Sequence, residues 1–267
     1  MPTLEEIKAK QQVTWSSGDY GKIAWITQPL AEVLTDALEL RPGATVLDVA
    51  TGTGHVALAA ARRFAVATGV DYVPALLEVG RRRAAAEGLD VIFQEGDAEN
   101  LPFPDASFDY VVSTLGAMFA PNQEKTASEL LRVVRSGGTI GMINWRPEGF
   151  IGELFRTIAK HVPPPEGLKP AALWGSEDRV RELFGDGVSS TNFKDGAIRM
   201  SFLSPEHFAD FFIANYGPTL KASEALEGEK RDAFRADLIE LARRHNTRTD
   251  GTSALDWTYL VVIATKR

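Results

Sequence analysis

The chain has 267 residues, 44% hydrophobic and 24% charged, enough to bury a real core as one large domain or one domain with an appended cap. Its formal net charge of −7 speaks against a phosphate backbone as main partner, since such partners call for a basic face. With no cysteine there is no disulfide, thiolate nucleophile or cysteine-held zinc or iron–sulfur site, and the four histidines are too scattered to suggest a local ligand pair; no metal is expected.

Residues 1–40 carry apolar side chains at helical spacing (Ile23, Ile26, Leu30, Val33, Leu34), with Pro29 marking a break or a first turn. Between them, Trp15 to Gly21 holds two glycines and two aromatics, which suits a covering loop or a turn packed on the core. From Arg41-Pro42-Gly43 onward, short apolar strands alternate with helices. The spacing predicts strands at Thr45–Ala50, Ala65–Val70, Val91–Gln94, Phe108–Ser113 and Thr139–Asn144. It predicts helices at His55–Phe64, Pro74–Glu87 and Glu124–Val134, the last closed by Arg135-Ser136-Gly137-Gly138. Arg81-Arg82-Arg83 reads as a solvated helix face.

That alternation implies an α/β fold with a doubly wound, mostly parallel sheet and a ligand crevice at the carboxyl ends of its strands. After Trp145 the pattern becomes irregular. A helix at Phe150–Lys160 precedes the spacer-like Pro163-Pro164-Pro165 and a short helix near Ser176–Phe184. Strand-like pieces follow near Val188–Phe193 and Ala197–Leu203, then helices near Pro205–Tyr216 and Glu229–His245 and a last strand at Asp256–Thr265. The implied organisation is an N-terminal helical lid (1–40), a cofactor-binding core (41–145), a substrate cap containing the sixth strand (146–225) and a closing helix and strand (226–267). No apolar run reaches the roughly 18 residues that span a bilayer, and the first residues do not form a secretory signal; a cytoplasmic protein without membrane insertion is expected.

Gly52-Thr53-Gly54 after the first strand allows a tight turn and close approach of a ligand to the backbone, with the free N–H groups of the next helix facing it. Asp71, ending the second strand, stands where a carboxylate accepts from ribose hydroxyls; this serves NAD and S-adenosylmethionine equally. It also suits an N-cap for the helix at Pro74. After the third strand, Gly96-Asp97-Ala98-Glu99-Asn100-Leu101-Pro102-Phe103 places Asp97 where it can accept from an adenine amino group.

Taken in order with Asp105–Val112 and Leu131–Thr139, these segments resemble the class I S-adenosylmethionine-dependent methyltransferases, and within them the small-molecule enzymes similar to ubiquinone/menaquinone biosynthesis methyltransferases. The resemblance covers residues 40–145 and, more weakly, the final strand. It implies a seven-stranded, Rossmann-like sheet with an antiparallel last strand between the fifth and sixth, and S-adenosyl-L-methionine as cofactor. It implies that Ala50, Thr51, Gly52 and Gly54 line the methionine end and that Asp48 supports the turn or the amino group. Asp71 would hold the ribose with Tyr72 against the adenine, Asp97 and Ala98 would face the adenine, and Ser113 would lie near the sulfonium. Family members often have glycine at the position of Ala50.

For methyl transfer the protein mainly aligns the partners, and a base is needed only where the acceptor must lose a proton. His55, Asp19 and Tyr20 are the candidates for such a role, and none is assigned it. The segment Ser113–Pro121 lacks the clamp of enzymes that methylate nucleic-acid bases. Trp15, Tyr20, Met118, Phe119 and Trp174, among other apolar side chains, suit a small, partly apolar or aromatic acceptor, methylated at O, N or C. The alternatives are a NAD(P)-dependent oxidoreductase and a cofactor-binding protein without transfer activity. The sequence does not reveal the oligomeric state.

Overall fold

The computed structural model describes residues 3–267. Helix α1 (Leu4–Trp15) opens with a capping box in which Thr3 Oγ1 accepts from Glu6 N and Glu6 Oε2 accepts from Thr3 N. Then follow α2 (Tyr20–Thr27) and α3 (Pro29–Ala37), Pro29 supplying the first turn of α3. The alternating part runs β1 (Thr45–Val49), α4 (His55–Arg62), β2 (Val66–Asp71), α5 (Pro74–Glu87), β3 (Val91–Glu95), β4 (Phe108–Thr114), α6 (Gln123–Val133) and β5 (Val134–Trp145). Beyond it lie α7 (Phe150–His161), α8 (Glu177–Phe184), β6 (Val188–Phe202), α9 (Pro205–Asn215), α10 (Gly217–Ala225), α11 (Gly228–His245) and β7 (Ser253–Lys266). No described helix is long and apolar enough to cross a membrane.

The seven strands form one sheet in the order β3-β2-β1-β4-β5-β7-β6. Strand β1 is parallel to both neighbours, Asp48 lying opposite Gly69 of β2 and Val112 of β4. The order reverses between β1 and β4, so the crevice of a doubly wound sheet opens at their carboxyl ends. Strand β7 runs antiparallel between β5 and β6. Its end lies beside their starts: Lys266 Nζ donates to Val134 O and Arg267 N to Gly187 O.

Three sequence expectations need correction. Strand β5 begins at Val134 rather than Thr139: Val134 already lies opposite Phe108, and a register shift before the Tyr110–Thr139 pair leaves Arg135–Gly138 as a bulge without partners on β4. Strand β6 is one element rather than two pieces, and at its middle Gly196 lets the Tyr259 ring lie directly on the backbone. Residues 217–225, left unassigned by the sequence, form α10, which has proline in its first turn.

The chain divides into two compact units. One comprises Met1–Ile26, Trp145–Leu168 and Gly196–Tyr259. Its core is aromatic: Phe150 stacks on Trp257 at 5.9 Å, and Phe202, Phe208 and Phe212 pack edge-on or tilted around them. The turn between α1 and α2 is held against the α9–α10 junction. Gly18 (φ +69°) lies so close to Asn215 that a Cβ would come within 2.7 Å of its carbonyl oxygen.

The other unit comprises Thr27–Asn144, Lys169–Asp195 and Leu260–Arg267, and holds the first four strands and most of the fifth. Leu58, Leu77, Ala84 and Phe93 form a cluster beneath α4 and α5. The Phe93 ring fills the space that Gly54 and Gly80 leave open, 2.7 Å from where either Cβ would stand.

Candidate functional site

The chain leaves β1 through Ala50 (φ +54°), Gly52 (φ +54°) and Gly54 (φ +85°) before α4 begins at His55. Left-handed backbone costs a residue with a Cβ roughly 1–2 kcal/mol, which gives a physical reason for glycine to be common at the position of Ala50. Under the turn lies Asp48, fully buried, whose Oδ2 accepts from Thr51 Oγ1 (2.5 Å) and Ala57 N (3.0 Å). Burial without a counter-ion pushes its carboxyl up to about 7, against the lowering effect of those two hydrogen bonds.

Asp71 ties the second strand to the turn. Its Oδ2 accepts from Gly52 N at 2.8 Å and its Oδ1 from Val73 N at 2.9 Å. Burial raises this carboxyl to about 6. The N-cap of α5 is Val73, so Asp71 does not cap that helix by side chain. Each oxygen of Asp71 keeps lone-pair capacity for a further donor. Tyr72 follows it, half-buried, with burial raising its hydroxyl pKa.

Arg83 corrects the expectation of a solvated basic face. Its Nη1 donates to Thr53 O (2.9 Å) and Thr53 Oγ1 (3.2 Å), and lies 3.0 Å from His55 Nδ1. A guanidinium can only donate, so Nδ1 carries the lone pair and the ring proton sits on Nε2. His55 is thereby a donor at Nε2, and its Nδ1 is engaged rather than available as a base. The sequence held a usable signal for Arg83: it is three residues after Gly80, and a helix-interior glycine marks a closely packed face that its i+3 neighbour shares.

After β3, Asp97 is half-buried and its Oδ1 accepts from Glu99 N (2.9 Å), while Ala98 is buried. The loop that follows is anchored by groups the sequence reading missed. Glu99 Oε1 accepts from Asn122 N (2.7 Å) and Glu129 Oε2 from Leu101 N (2.8 Å). Arg132 pairs with Glu129 and donates to the carbonyls of Leu101 and Phe103. At the end of β4, Ser113 Oγ donates to Val49 O (2.7 Å) and accepts from Ala117 N (2.9 Å). This hydroxyl therefore fastens the ends of β1 and β4 together. Gly116 packs onto the Ala50 carbonyl, leaving no room for a Cβ.

Asp48, Ala50, Thr51, Gly52, Gly54, Asp71, Tyr72, Asp97, Ala98 and Ser113 all lie in this unit, at the carboxyl ends of β1 to β4 or in the turns leaving them. Met118 and Phe119 follow in the short helix Ala117–Phe119, the first buried and the second half-buried. Trp174 is fully buried, edge-on to Phe184 at 6.2 Å, in a short helix packed on that of Met118. Trp15, Asp19 and Tyr20 belong to the other unit. There Trp15 packs on Tyr20 (5.7 Å) and Tyr216 (5.9 Å), and the exposed Asp19 pairs with Lys22.

The buried acidic group at the second strand end, the glycine turn and the anchored loop after β3 fit a ligand with vicinal hydroxyls and a flat ring. A model of the methyltransferase domain matches residues 46–138. Over 268 residues the chain is 39% identical to an uncharacterized protein of Mycobacterium tuberculosis, covering 98% of this chain and 96% of that one. It is 40% identical over 132 residues to demethylmenaquinone methyltransferase of Thermus thermophilus, covering 48% of this chain and 60% of the relative. A putative methyltransferase from Bacillus halodurans superposes with a TM-score of 0.62 at 22% identity, covering 88% of this chain and 98% of the other.

Proposed function

The chain belongs to the class I S-adenosylmethionine-dependent methyltransferase family, and from that premise we propose that it transfers a methyl group from S-adenosylmethionine to a small, partly apolar or aromatic acceptor. The observation that carries the cofactor assignment is Asp71, a buried carboxylate joined to the glycine turn through Gly52 N–H. With a pKa of about 6 it is mostly ionised at neutral pH and ready to accept from ribose hydroxyls.

S-adenosylmethionine, when bound, supplies a methyl group already activated as a sulfonium. The protein's part is to bind, align and exclude water. Ala50, Thr51, Gly52 and Gly54 present the turn to the methionine end, and Asp48 keeps that turn in shape by holding Thr51 and the first turn of α4. Tyr72, Asp97 and Ala98 would hold the adenine. Ser113 sets the spacing of the β1 and β4 ends rather than touching the reacting atoms, since its hydroxyl is already engaged on both sides. With His55 Nδ1 held by Arg83, no general base is assigned. Such a site suits acceptors that need no deprotonation or lose their proton readily.

Calorimetric titration with S-adenosylhomocysteine and with NADH tests the cofactor, and labelled methyl transfer into a metabolite extract tests the reaction. Binding of the first ligand without the second is expected, with Asp71→Ala weakening it at least tenfold. Tight NADH binding alone would favour the oxidoreductase alternative, and cofactor binding without any labelled product would favour a binding protein.

A further inference from the structure

Arg83 is a half-buried cation on α5 that makes no ion pair among the described residues, Glu87 acting on it only at longer range. Its four hydrogen-bonding contacts go to neutral groups: Thr53 O, Thr53 Oγ1, His55 Nδ1 and, at 3.4 Å, Gln28 Oε1. The carboxylate one helical turn on, Glu87, is held at both oxygens by Arg62 at 2.7 Å. Among the described residues no carboxylate pairs with Arg83. Burial accordingly lowers its pKa, since loss of water is the largest influence on it.

A guanidinium is easily accommodated at a surface, where water solvates it, or in a buried pair, where a carboxylate balances it. Here neither condition is met, and the charge is spent against the carbonyl side of the turn that takes the cofactor. Glu87 and Arg62 act on this cation in opposite senses, and its direct partners at the turn are neutral dipoles, so its field reaches the ligand side. The one anionic group the proposed cofactor brings is the carboxylate of its amino-acid chain.

Resting on the proposed use of S-adenosylmethionine, we infer that Arg83 is the positioning residue for the cofactor's carboxylate, acting through Thr53 and His55 as a fixed positive charge behind the glycine turn. It orders the turn by two donors to Thr53 and fixes the His55 ring so that Nε2–H faces away from the guanidinium. The side chain has no place in the chemistry of transfer. It discriminates between ligands that carry the carboxylate and those that do not.

The test compares S-adenosylhomocysteine with S-adenosyl-3-thiopropylamine, the same molecule without its carboxylate, by calorimetry on the full chain. The unaltered protein is expected to prefer the carboxylate-bearing ligand at least tenfold. In Arg83→Met that preference should fall to threefold or less, through loss of affinity for S-adenosylhomocysteine and little change for the decarboxylated ligand. Arg83→Lys, which keeps the charge without the fork, should retain more than half of the preference on a logarithmic scale and guards against a folding defect in the first variant. Equal weakening of both ligands would make Arg83 a structural support only, and an unchanged preference in Arg83→Met would remove it from recognition; either overturns the inference. If the unaltered protein binds neither ligand, the cofactor assignment itself fails, a result distinct from both.

Discussion

Asp48 is the residue whose protonation is most closely bound to the stability of the site. It is 2% exposed, has no cation beside it, and lies near enough to Asp71 for that negative charge to raise its pKa further. The sign follows from the direction of the shift. A carboxyl whose pKa rises from 3.8 unfolded to about 7 folded binds its proton more tightly in the native state. Its favourable contribution is therefore fully present below the unfolded pKa and lost as pH rises through the folded one. Asp71, raised to about 6, adds to the same trend over a narrower window. Carboxylates with depressed pKa, such as Asp109 and Asp237, act in the opposite sense and only at more acidic pH, so they do not mask it. The melting temperature of the unliganded protein should thus fall between pH 5 and pH 8. Asp48→Asn, whose amide oxygen still accepts from Thr51 and Ala57, should show a distinctly smaller fall. Thermal denaturation at four pH values checks this, and parallel profiles for the two proteins would refute it.

At the scale of elements, the loop between β3 and β4 is anchored by α6 as well as by its own turns. Glu129, buried on α6, accepts from Leu101 N and pairs with Arg132, whose other donors reach Leu101 O and Phe103 O. Glu129→Ala would leave a buried N–H unpaired and release Arg132, which costs about 2–3 kcal/mol. Chemical denaturation should show that loss, and amide exchange at Leu101 should quicken; unchanged exchange would mean the loop is held by other contacts. These groups explain what the sequence could and could not disclose. Asp71 and the glycine turn were legible because strand, turn and carboxylate follow one another at the short spacing of a βα unit. Arg83 and His55 are 28 positions apart, as are Leu101 and Glu129, and no local pattern links them. The start of β5 is hidden because Gly137-Gly138 looks like a terminator, whereas it sits in a bulge between two paired parts of the strand. Strand β6 does not stand out in the sequence as one element because only Met200 and Phe202 along its 15 residues are buried, so no apolar run announces it. Its neighbour β7 was plain, being buried along most of its length.

For the whole molecule, the excess of 36 acidic over 29 basic side chains bears on cofactor exchange. S-adenosylmethionine carries one net positive charge, and S-adenosylhomocysteine, left after transfer, carries none. A protein of net charge −7 attracts the first from a distance and is indifferent to the second. Raising ionic strength from about 0.01 to about 1 M shortens the screening length from about 30 to about 3 Å. The association rate of S-adenosylmethionine, followed by stopped-flow tryptophan fluorescence, should therefore fall several-fold over that range, and that of S-adenosylhomocysteine much less. Equal salt dependence of the two rates would show that net charge plays no part in capture. Arg83 then divides the work by distance: the diffuse negative field draws in the sulfonium, and one fixed cation behind the turn orients the carboxylate. Long-range steering acts on association and short-range contacts on dissociation. Arg83→Met should accordingly leave the salt dependence of association intact and raise the dissociation rate of either cofactor form at least fivefold. A variant that instead bound more slowly and dissociated at the original rate would place Arg83 in the steering field rather than at the turn.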